Sequence, residues 1–442
     1  MPTSRTERAA AVGLAAALLL VAAAIAVPPV WHWRVHASLH PVRPFAPLAG
    51  WVDPRVGIGT PFAVALAILG VLYAQRLAVR LSWTRLLVVT YGATLAWALA
   101  LAFVDGRSGL TREIVNHNEY LPTAQTVHDV PALLRGFTAR IPVGVPGSWE
   151  THVAGHPPGA LLIFVGLVSV GLGGALAAAL SITVVGCTTP VAVLVTLRLL
   201  GVEDVGRRVA PFLVLAPAAL WVAVSADGVF AAVAAWGLSA VAAATRATAR
   251  RDVWAWGAVG GLLLGSCLLL SYGLPLLAPL VLAVLAAGRS WRPLPAVALT
   301  SVVPMLVFAA LGFRLWSAYP VLQDRYWAGI ASTRPASYWL WGDLAALLIS
   351  TGPMLGAALG ALVAEGRRSP RVVRLLVGAS VLAVLAADAS RMSKAEVERI
   401  WLPFVPWLLL ATELLPERWR RPALALQVLS ALLVQHLVLT NW

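Results

Sequence analysis

The sequence predicts an all-α membrane protein, a polytopic bundle of about 12 to 14 transmembrane helices. Of its 442 residues, 60% are hydrophobic and only 12% are charged. Apolar stretches of about 17 to 25 residues, long enough to cross a bilayer, recur along the whole chain. The arginines fall in short loops between these stretches, as in proteins oriented by the positive-inside rule. Membrane topology therefore explains the formal charge of +14 better than nucleic-acid binding does.

Each apolar stretch is expected to be helical, because backbone groups in lipid must pair internally. The predicted segments are 9–30, 57–75, 86–104, 157–199, 209–225, 228–245, 254–270, 272–287, 294–313, 342–364, 371–388, 400–412 and 423–440. The first is too long for the apolar part of a signal peptide and further spans follow it, so a retained first helix is predicted. Gly257, Gly261 and Gly265 recur every fourth residue, which predicts close packing against a neighbouring helix.

Positive charge predicts the orientation of the chain, which is treated as one integral membrane domain, 1–442. Arginines cluster at 5–8, 76–85, 207–208, 246–251, 367–374 and 418–421. These clusters predict cytoplasmic loops and a cytoplasmic N-terminus. The outer face then holds 31–56, 105–156, 314–341, 389–399 and the link 225–228. The segment 157–199 is long enough for two spans, yet the charges require an odd number of crossings. Either 157–172 dips into the membrane and returns, or one boundary lies elsewhere.

The long outer loop, 105–156, is the first candidate for function. Seven of the eight histidines, at 32, 36, 40, 117, 128, 152 and 156, fall in the first two outer loops. A loop of about 50 residues exceeds what a connector needs. Its aromatic and proline content predicts order and short interfacial helices.

Two acids in this loop are candidate catalytic bases. Glu119 stands on a short predicted helix along the membrane surface, where its carboxylate would accept a proton from a hydroxyl. Asp105 stands where the third apolar segment ends. The alternatives are a solvated surface acid at 119 and a helix-terminal acid at 105. Around Glu119, the side chains predicted to contact substrate are Asn116, His117 and Tyr120.

Further candidates lie at other outer boundaries. His156 precedes two prolines that suit the first turn of the next helix, and it stands within reach of a phosphate at the membrane surface. Asp227 interrupts two apolar segments, where an acid is costly unless it is paired or functional, and it is a third candidate catalytic acid. Arg391, Lys394 and Arg399 stand in ADASRMSKAEVERIW, residues 387–401, as partners for a phosphate. The alternative for that segment is an interfacial helix whose charges pair with one another.

Two other patterns have ordinary explanations beside functional ones. The aromatic loop 314–341 predicts a belt at the headgroup level more strongly than a surface for sugar stacking. His32, His36 and His40 have a helical spacing that would hold a metal ion. Their neighbours Trp33, Arg34 and Pro41 favour an ordinary interfacial segment instead.

This layout resembles the GT-C superfamily of membrane glycosyltransferases. The shared features are a long acidic outer loop, a His-Pro-Pro element opening the next helix, a short acidic link and a charged outer loop near the C-terminus. His156-Pro157-Pro158 is similar to the element of protein O-mannosyltransferases, and aminoarabinose transferases have related elements there. The segment EVERIWLPFVPWLLL and the overall composition resemble uncharacterised actinobacterial members. The resemblance covers most of the chain in layout, with specific motifs in a few short stretches.

The resemblance implies a GT-C-like bundle in the plasma membrane with its active site on the outer face. Such enzymes transfer a sugar from a polyprenyl-phosphate donor to a lipid, glycan or protein hydroxyl. Glu119 or Asp105 would be the base, and His156 with Arg391 or Lys394 would hold the lipid phosphate. Because the family usually places the catalytic loop after the first helix, Asp53 in 31–56 stays open as the base. A divalent metal ion stays open as the cofactor.

Three other classes remain as alternatives. A transporter or flippase of a lipid-linked or small solute would also have many helices, but would tend to show two related halves and polar residues at the midplane. A polyprenyl-linked glycan ligase or polymerase would carry its large loop nearer the C-terminus. A membrane O-acyltransferase would need a buried histidine, for which His436 is the candidate.

Overall fold

A computed structural model describes residues 4–38 and 44–440 of the chain. Its α-helices, in chain order, are α1 (Ser4–Val30), α2 (Thr60–Leu69), α3 (Gln75–Arg80), α4 (Trp83–Ala102), α5 (Ser108–Thr111), α6 (Tyr120–Ala124), α7 (Val130–Gly136), α8 (Thr151–Gly155), α9 (Pro158–Ser169), α10 (Ala175–Gly186), α11 (Thr189–Leu199), α12 (Glu203–Val214), α13 (Ala219–Val222), α14 (Ala226–Arg246), α15 (Arg250–Cys267), α16 (Ala278–Ala287), α17 (Leu294–Ala310), α18 (Leu315–Ala328), α19 (Ala336–Thr351), α20 (Met354–Glu365), α21 (Arg371–Ser390), α22 (Val397–Ile400), α23 (Val405–Leu408) and α24 (Glu417–Leu437). A π-helical turn, Gly70–Ala74, joins α2 to α3.

Six helices within the described ranges are long and apolar enough to cross a membrane. They are Arg5–Val30, Thr60–Arg80, Trp83–Asp105, Ala175–Leu199, Ala226–Arg246 and Arg371–Ser390. The count rises to eight if two bent pairs are each one span: α17 with α18, bent by 78°, and α19 with the helical stretch Met354–Arg368, bent by 101°. Several predicted spans are broken into short helices, so the number is below the expected 12 to 14. These helices are consistent with a multi-pass membrane protein.

The predicted segment 157–199 is one of those that break. A turn at 170–174, with Gly171 at φ 81°, separates α9 from Ala175–Leu199. At 12 residues, α9 is about 18 Å long, which is shorter than the hydrocarbon core of a bilayer. Its length therefore agrees with the alternative in which this part enters the membrane and returns.

The arginine-rich loops meet at one end of the bundle. Arg418 pairs with Glu7 at 2.5 Å, and Arg208 pairs with Glu413 at 2.7 Å. Arg207 also donates to the backbone oxygen of Ala78 over 2.9 Å. The N-terminus and the loops near 80, 205 and 415 therefore share one face, as the charge pattern predicts.

A short sheet lies at the opposite end, and the all-α prediction did not include it. Strand β1 (Gly50–Val52) pairs antiparallel with β2 (Val438–Thr440), with Trp51 opposite Leu439. The last helix, α24, consequently ends at Leu437, whereas the predicted apolar segment runs to 440. This sheet attaches the C-terminal end of the described chain to the first outer loop.

The glycine stripe of α15 is confirmed as a packing surface. A Cβ at Gly261 would lie 2.4 Å from the backbone oxygen of Val297, and one at Gly265 would lie 2.2 Å from that of Ser301. Both oxygens belong to α17. Only glycine allows these two backbones to approach so closely.

Two other sequence interpretations are corrected. Helix α1 ends at Val30, and His32 and His36 follow it with φ values of 52° and 53°. The helical spacing expected for a metal site is therefore wrong for this pair, and His40 lies outside the described residues. The aromatic loop 314–341 divides into exposed side chains such as Trp316 and buried ones such as Trp339, so only part of it suits a belt.

Candidate functional site

The site lies where the long outer loop, the start of α14 and the segment 391–400 meet. Ser225 caps α14 by accepting a hydrogen bond from the amide of Asp227 over 3.1 Å. A serine here is a favoured helix start because its oxygen satisfies an amide that has no helical partner. The cap places the Asp227 carboxylate in the first turn of a helix that is long and apolar enough to cross a membrane, at the end opposite Arg246.

Arg399 is the centre of the cluster. Its Nη1 lies 2.8 Å from Oδ2 of Asp227, and its Nη2 lies 2.7 Å from Oε2 of Glu396. Arg334 approaches the other oxygen of Glu396 at 3.4 Å. The side chains of Arg399 and Asp227 are only 6% and 8% exposed. The ion pairs are therefore screened little by water.

Burial and neighbouring charges have opposite effects on the pKa values of Glu396 and Arg399. Burial alone would raise the pKa of Glu396, but the attraction of Arg399 and Arg334 outweighs it and lowers the value to about 2. Burial alone would lower the pKa of Arg399, but Asp227 and Glu396 together raise it above its ordinary value. Both groups are therefore charged at neutral pH.

Glu119 and His152 form the second part of the site. Oε1 of Glu119 lies 2.7 Å from Nδ1 of His152, and the two side chains are 13% and 16% exposed. Nε2 of His152 lies 3.5 Å from Nη2 of Arg399. Because an ionised carboxylate only accepts hydrogen bonds, Nδ1 of His152 donates to Glu119.

The position of Glu119 refines the prediction of a carboxylate on a surface helix. Glu119 is the residue that precedes α6, with φ −86° and ψ 173°, and is not inside the helix. The preceding Asn118 accepts a hydrogen bond from the amide of His152 over 3.2 Å and another from the Thr151 hydroxyl over 3.1 Å. These bonds hold the 118–119 turn against the start of α8.

Tyr120 and His156 form an aromatic wall beside these acids. The Tyr120 ring stacks on Phe164 with centroids 5.3 Å apart and meets His156 edge-on at 5.7 Å. Nδ1 of His156 donates to the backbone oxygen of His152 over 2.9 Å. Burial is the main cause that lowers the pKa of His156, so the imidazole is neutral at pH 7. A role in holding the lipid phosphate stays a prediction for His156.

Asp105 belongs to a different set of contacts. It forms an ion pair with Arg55, and its Oδ2 also accepts from Nε2 of Gln435 over 3.3 Å. Both carboxylate oxygens are thus occupied by donors. The amide of Arg55 is in turn bonded to the backbone oxygen of His436. Asp105 therefore braces the first outer loop against the C-terminal helix, α24.

The remaining predicted residues divide between buried and exposed positions. Lys394 is buried, and its Nζ donates to the backbone oxygens of Ala331 at 2.9 Å and Arg334 at 3.0 Å. Asn116 bonds within its own turn, and His117 is exposed. Arg391 is exposed at the end of α21, with φ 57°. The segment 391–399 thus has mutually paired charges, as the alternative interpretation holds, together with one accessible cation.

The sequence analysis did not single out His152 or Glu396 as site residues. The four-residue spacing of His152 and His156 was the available signal for the histidine, because a helix between them brings both to one side. The three-residue spacing of Glu396 and Arg399 was the corresponding signal for the acid.

Two further features concern ligands. Within residues 4–38 and 44–440, no group of three or more His, Cys, Asp or Glu side chains is arranged to hold a metal ion. A groove of about 300 Å³ follows α7 on the long outer loop, and its wall includes His128, Asp129, Arg140 and Trp149. The guanidinium of Arg140 lies 3.3 Å over the Trp149 ring. This groove is large enough for a small sugar or lipid headgroup.

Comparison of the chain with models of protein families, with curated proteins and with solved structures found no match.

Proposed function

We propose that this protein is a membrane glycosyltransferase that moves a sugar from a polyprenyl-phosphate donor to a hydroxyl of a lipid, glycan or protein. The observation that carries the proposal is the linked cluster of Glu119, His152, Arg399 and Asp227. It lies at the ends of apolar helices away from the arginine-rich loops, which is the end that the charge pattern predicts to be outer. A lipid-linked donor and a polar acceptor would both reach such a place, and the layout resembles that of GT-C enzymes.

Glu119 is the proposed base. Its Oε1 bonds to the His152 imidazole, and among the described residues its Oε2 has no hydrogen-bond partner. In the reaction, the acceptor oxygen attacks the anomeric carbon while its proton passes to Glu119. The bond from that carbon to the phosphate oxygen breaks, and its electron pair leaves with the polyprenyl phosphate. A positioned carboxylate typically contributes about 10²-fold to 10⁴-fold to such a step.

Arg391 is the proposed partner of the departing phosphate. It is exposed at the outer end of α21, where the headgroup of a donor in the bilayer would lie. An arginine fork suits phosphate oxygens and stabilises the charge that develops on them. Lys394 and Arg399 already bind protein groups, so they would hold the surrounding segments in place and not bind the phosphate themselves.

A transporter or flippase is the second candidate, because buried ion pairs at the end of a span also occur in transporters. In this chain the pair lies in the first turn of α14 and not at mid-helix, which favours chemistry at the membrane surface. The two functions differ in their product, since only the transferase releases free polyprenyl phosphate.

The test is a donor panel. Purified protein in lipid nanodiscs is incubated with polyprenyl-phosphate sugars and a crude envelope acceptor, and released polyprenyl phosphate is measured. The proposal predicts release from one or more donors by the wild type and loss of release in Glu119→Gln. Release equal to that of empty nanodiscs with every donor, together with solute or lipid movement in liposomes, would establish the transporter instead.

A further inference from the structure

We propose that His152 is the positioning residue of the site: it holds the Glu119 carboxylate in place through a hydrogen bond from Nδ1. This inference rests on the proposed role of Glu119 as base and deepens it. His152 itself need not touch substrate. Its function is to select one orientation of the Glu119 carboxylate.

The geometry supplies the first argument. Glu119 precedes α6 on extended backbone, so the helix itself does not hold its side chain. The bond from Nδ1 of His152, at 2.7 Å, is the one that fixes Oε1 among the described residues. His152 is held in turn by the hydrogen bond from its backbone amide to the backbone oxygen of Asn118, and its Nε2 contacts Nη2 of Arg399. Two consecutive residues, 118 and 119, thus bind the same histidine, which orients the carboxylate.

The surrounding charges supply the second argument. Among the described residues, the charged side chains near His152 are Glu119, Arg399 and Glu396, and Asp227 binds the far side of Arg399. Asp227 and Glu396 each form a close ion pair with Arg399, at 2.8 Å and 2.7 Å. The close contact of the Glu119 carboxylate is instead the one with His152.

Histidine suits this role better than a permanent cation. Lysine or arginine at position 152 would hold Glu119 in its charged form. It would also face Arg399 with a like charge that it cannot lose. Histidine gives direction to the carboxylate through the hydrogen bond from Nδ1.

The test compares His152→Leu, which removes the donor, with His152→Asn, whose side-chain amide nitrogen takes the place of Nδ1. A carbodiimide, which reacts with protonated carboxyl groups, is applied across a pH series, and modification of each acid is measured by mass spectrometry. Removing a donor from the charged form favours protonation. We expect the pH midpoint for Glu119 modification to rise in His152→Leu and to stay near the wild-type midpoint in His152→Asn. The exposed Glu150 of the same loop is the internal control and should not change.

This readout needs no donor sugar, so it separates the two proposals. An unchanged Glu119 midpoint in His152→Leu would overturn the positioning role whether or not the protein transfers sugar. A raised midpoint in a protein that releases no polyprenyl phosphate would support the hydrogen bond between His152 and Glu119 and refute the proposed glycosyltransferase function. In a protein that transfers sugar, His152→Leu should lower kcat by about 10-fold to 100-fold and change KM little. His152→Asn should keep most of the wild-type kcat. A fall of equal size in both variants would contradict the role assigned to the hydrogen bond.

Discussion

Arg399 and Asp227 form a buried ion pair between residues that are 172 positions apart in the chain, with Nη1 and Oδ2 separated by 2.8 Å. The same guanidinium binds Glu396 three residues before it. One side chain therefore joins the segment before α22 to the first turn of α14 and to His152 of the outer loop. The site and the fold depend on the same residue.

Replacing Arg399 by glutamine should destabilise the protein strongly. Asp227 would be left as a buried charge without its cation, a loss that typically costs about 3 to 5 kcal/mol. Unfolding monitored by tryptophan fluorescence in detergent measures the change. Arg391→Gln is the matched control, because Arg391 is exposed in the same segment and should change stability by less than about 0.5 kcal/mol. Equal losses in the two variants would mean that the buried pair contributes no special stability.

Glu398 should make the stability of the protein depend on pH. It is fully buried, its Oε1 accepts from the amide of Ala49, and burial raises its pKa from 4.5 to about 7. The folded protein therefore keeps a proton that the unfolded chain releases near pH 4.5. The stability from this group is complete below pH 4.5 and is lost as the pH rises through about 7.

Glu398→Gln isolates that contribution, because the amide keeps an oxygen for Ala49 and does not titrate. Melting temperatures are compared between pH 5 and pH 8. The wild type should lose up to roughly 3 kcal/mol more stability over this interval than the variant, since one pKa unit corresponds to about 1.4 kcal/mol. Exposed Glu150→Gln should follow the wild type. Parallel pH curves for wild type and Glu398→Gln would show that Glu398 ionises normally in the folded protein.

Gly265→Ala should separate α15 from α17. The new Cβ would lie 2.2 Å from the backbone oxygen of Ser301, so one helix must move, and overpacking of this kind typically costs about 1 to 3 kcal/mol. Gly92→Ala is the control, since nothing lies within 4 Å of the point on α4 that its new Cβ would occupy. Alanine there should stabilise the helix by up to about 1 kcal/mol. Thermal unfolding in detergent distinguishes the two, and a neutral Gly265→Ala would contradict the close approach.

The proposed orientation can be tested by cysteine labelling. The native Cys187 and Cys267 are buried, so the wild type should react slowly with a membrane-impermeant maleimide. Val143→Cys places a thiol at a position that is 71% exposed on the long outer loop, and Arg251→Cys places one where the side chain is 88% exposed in the arginine-rich start of α15. Intact cells should label only Val143→Cys, and permeabilised cells should label both. The opposite result would invert the topology and place the site in the cytoplasm.

Local chemistry explains what the sequence predicts well. Pro158 and Ser225 stand where helices begin, because a proline needs no amide partner there and a serine supplies one. The apolar stretches and the glycine stripe likewise predict helices and the face on which α15 packs. Asp227 and Arg399 could be named as candidates because charges at such boundaries are costly without a partner.

Long-range pairing explains what the sequence does not predict. Glu119 and His152 are 33 residues apart, and nothing in either neighbourhood specifies the other. The pairing of Gly50 with Thr440 joins two segments that are far apart in the chain and has no local signal. Composition also overestimates the number of membrane spans. The apolar helices α9 and Val405–Leu414 are too short to cross a membrane.

The most direct test of the central claim is to compare the two outer-loop acids in one transfer assay. Polyprenyl phosphate release is measured for Glu119→Gln, Asp105→Asn and Glu150→Gln with a donor that the wild type accepts, after equal folding is established by thermal unfolding. The account predicts that Glu119→Gln lowers kcat by about 10²-fold to 10⁴-fold, while Asp105→Asn acts mainly through stability and Glu150→Gln has no effect. Full activity in Glu119→Gln, with loss of activity in Asp105→Asn, would contradict the account. The base would then be Asp105, which pairs with Arg55.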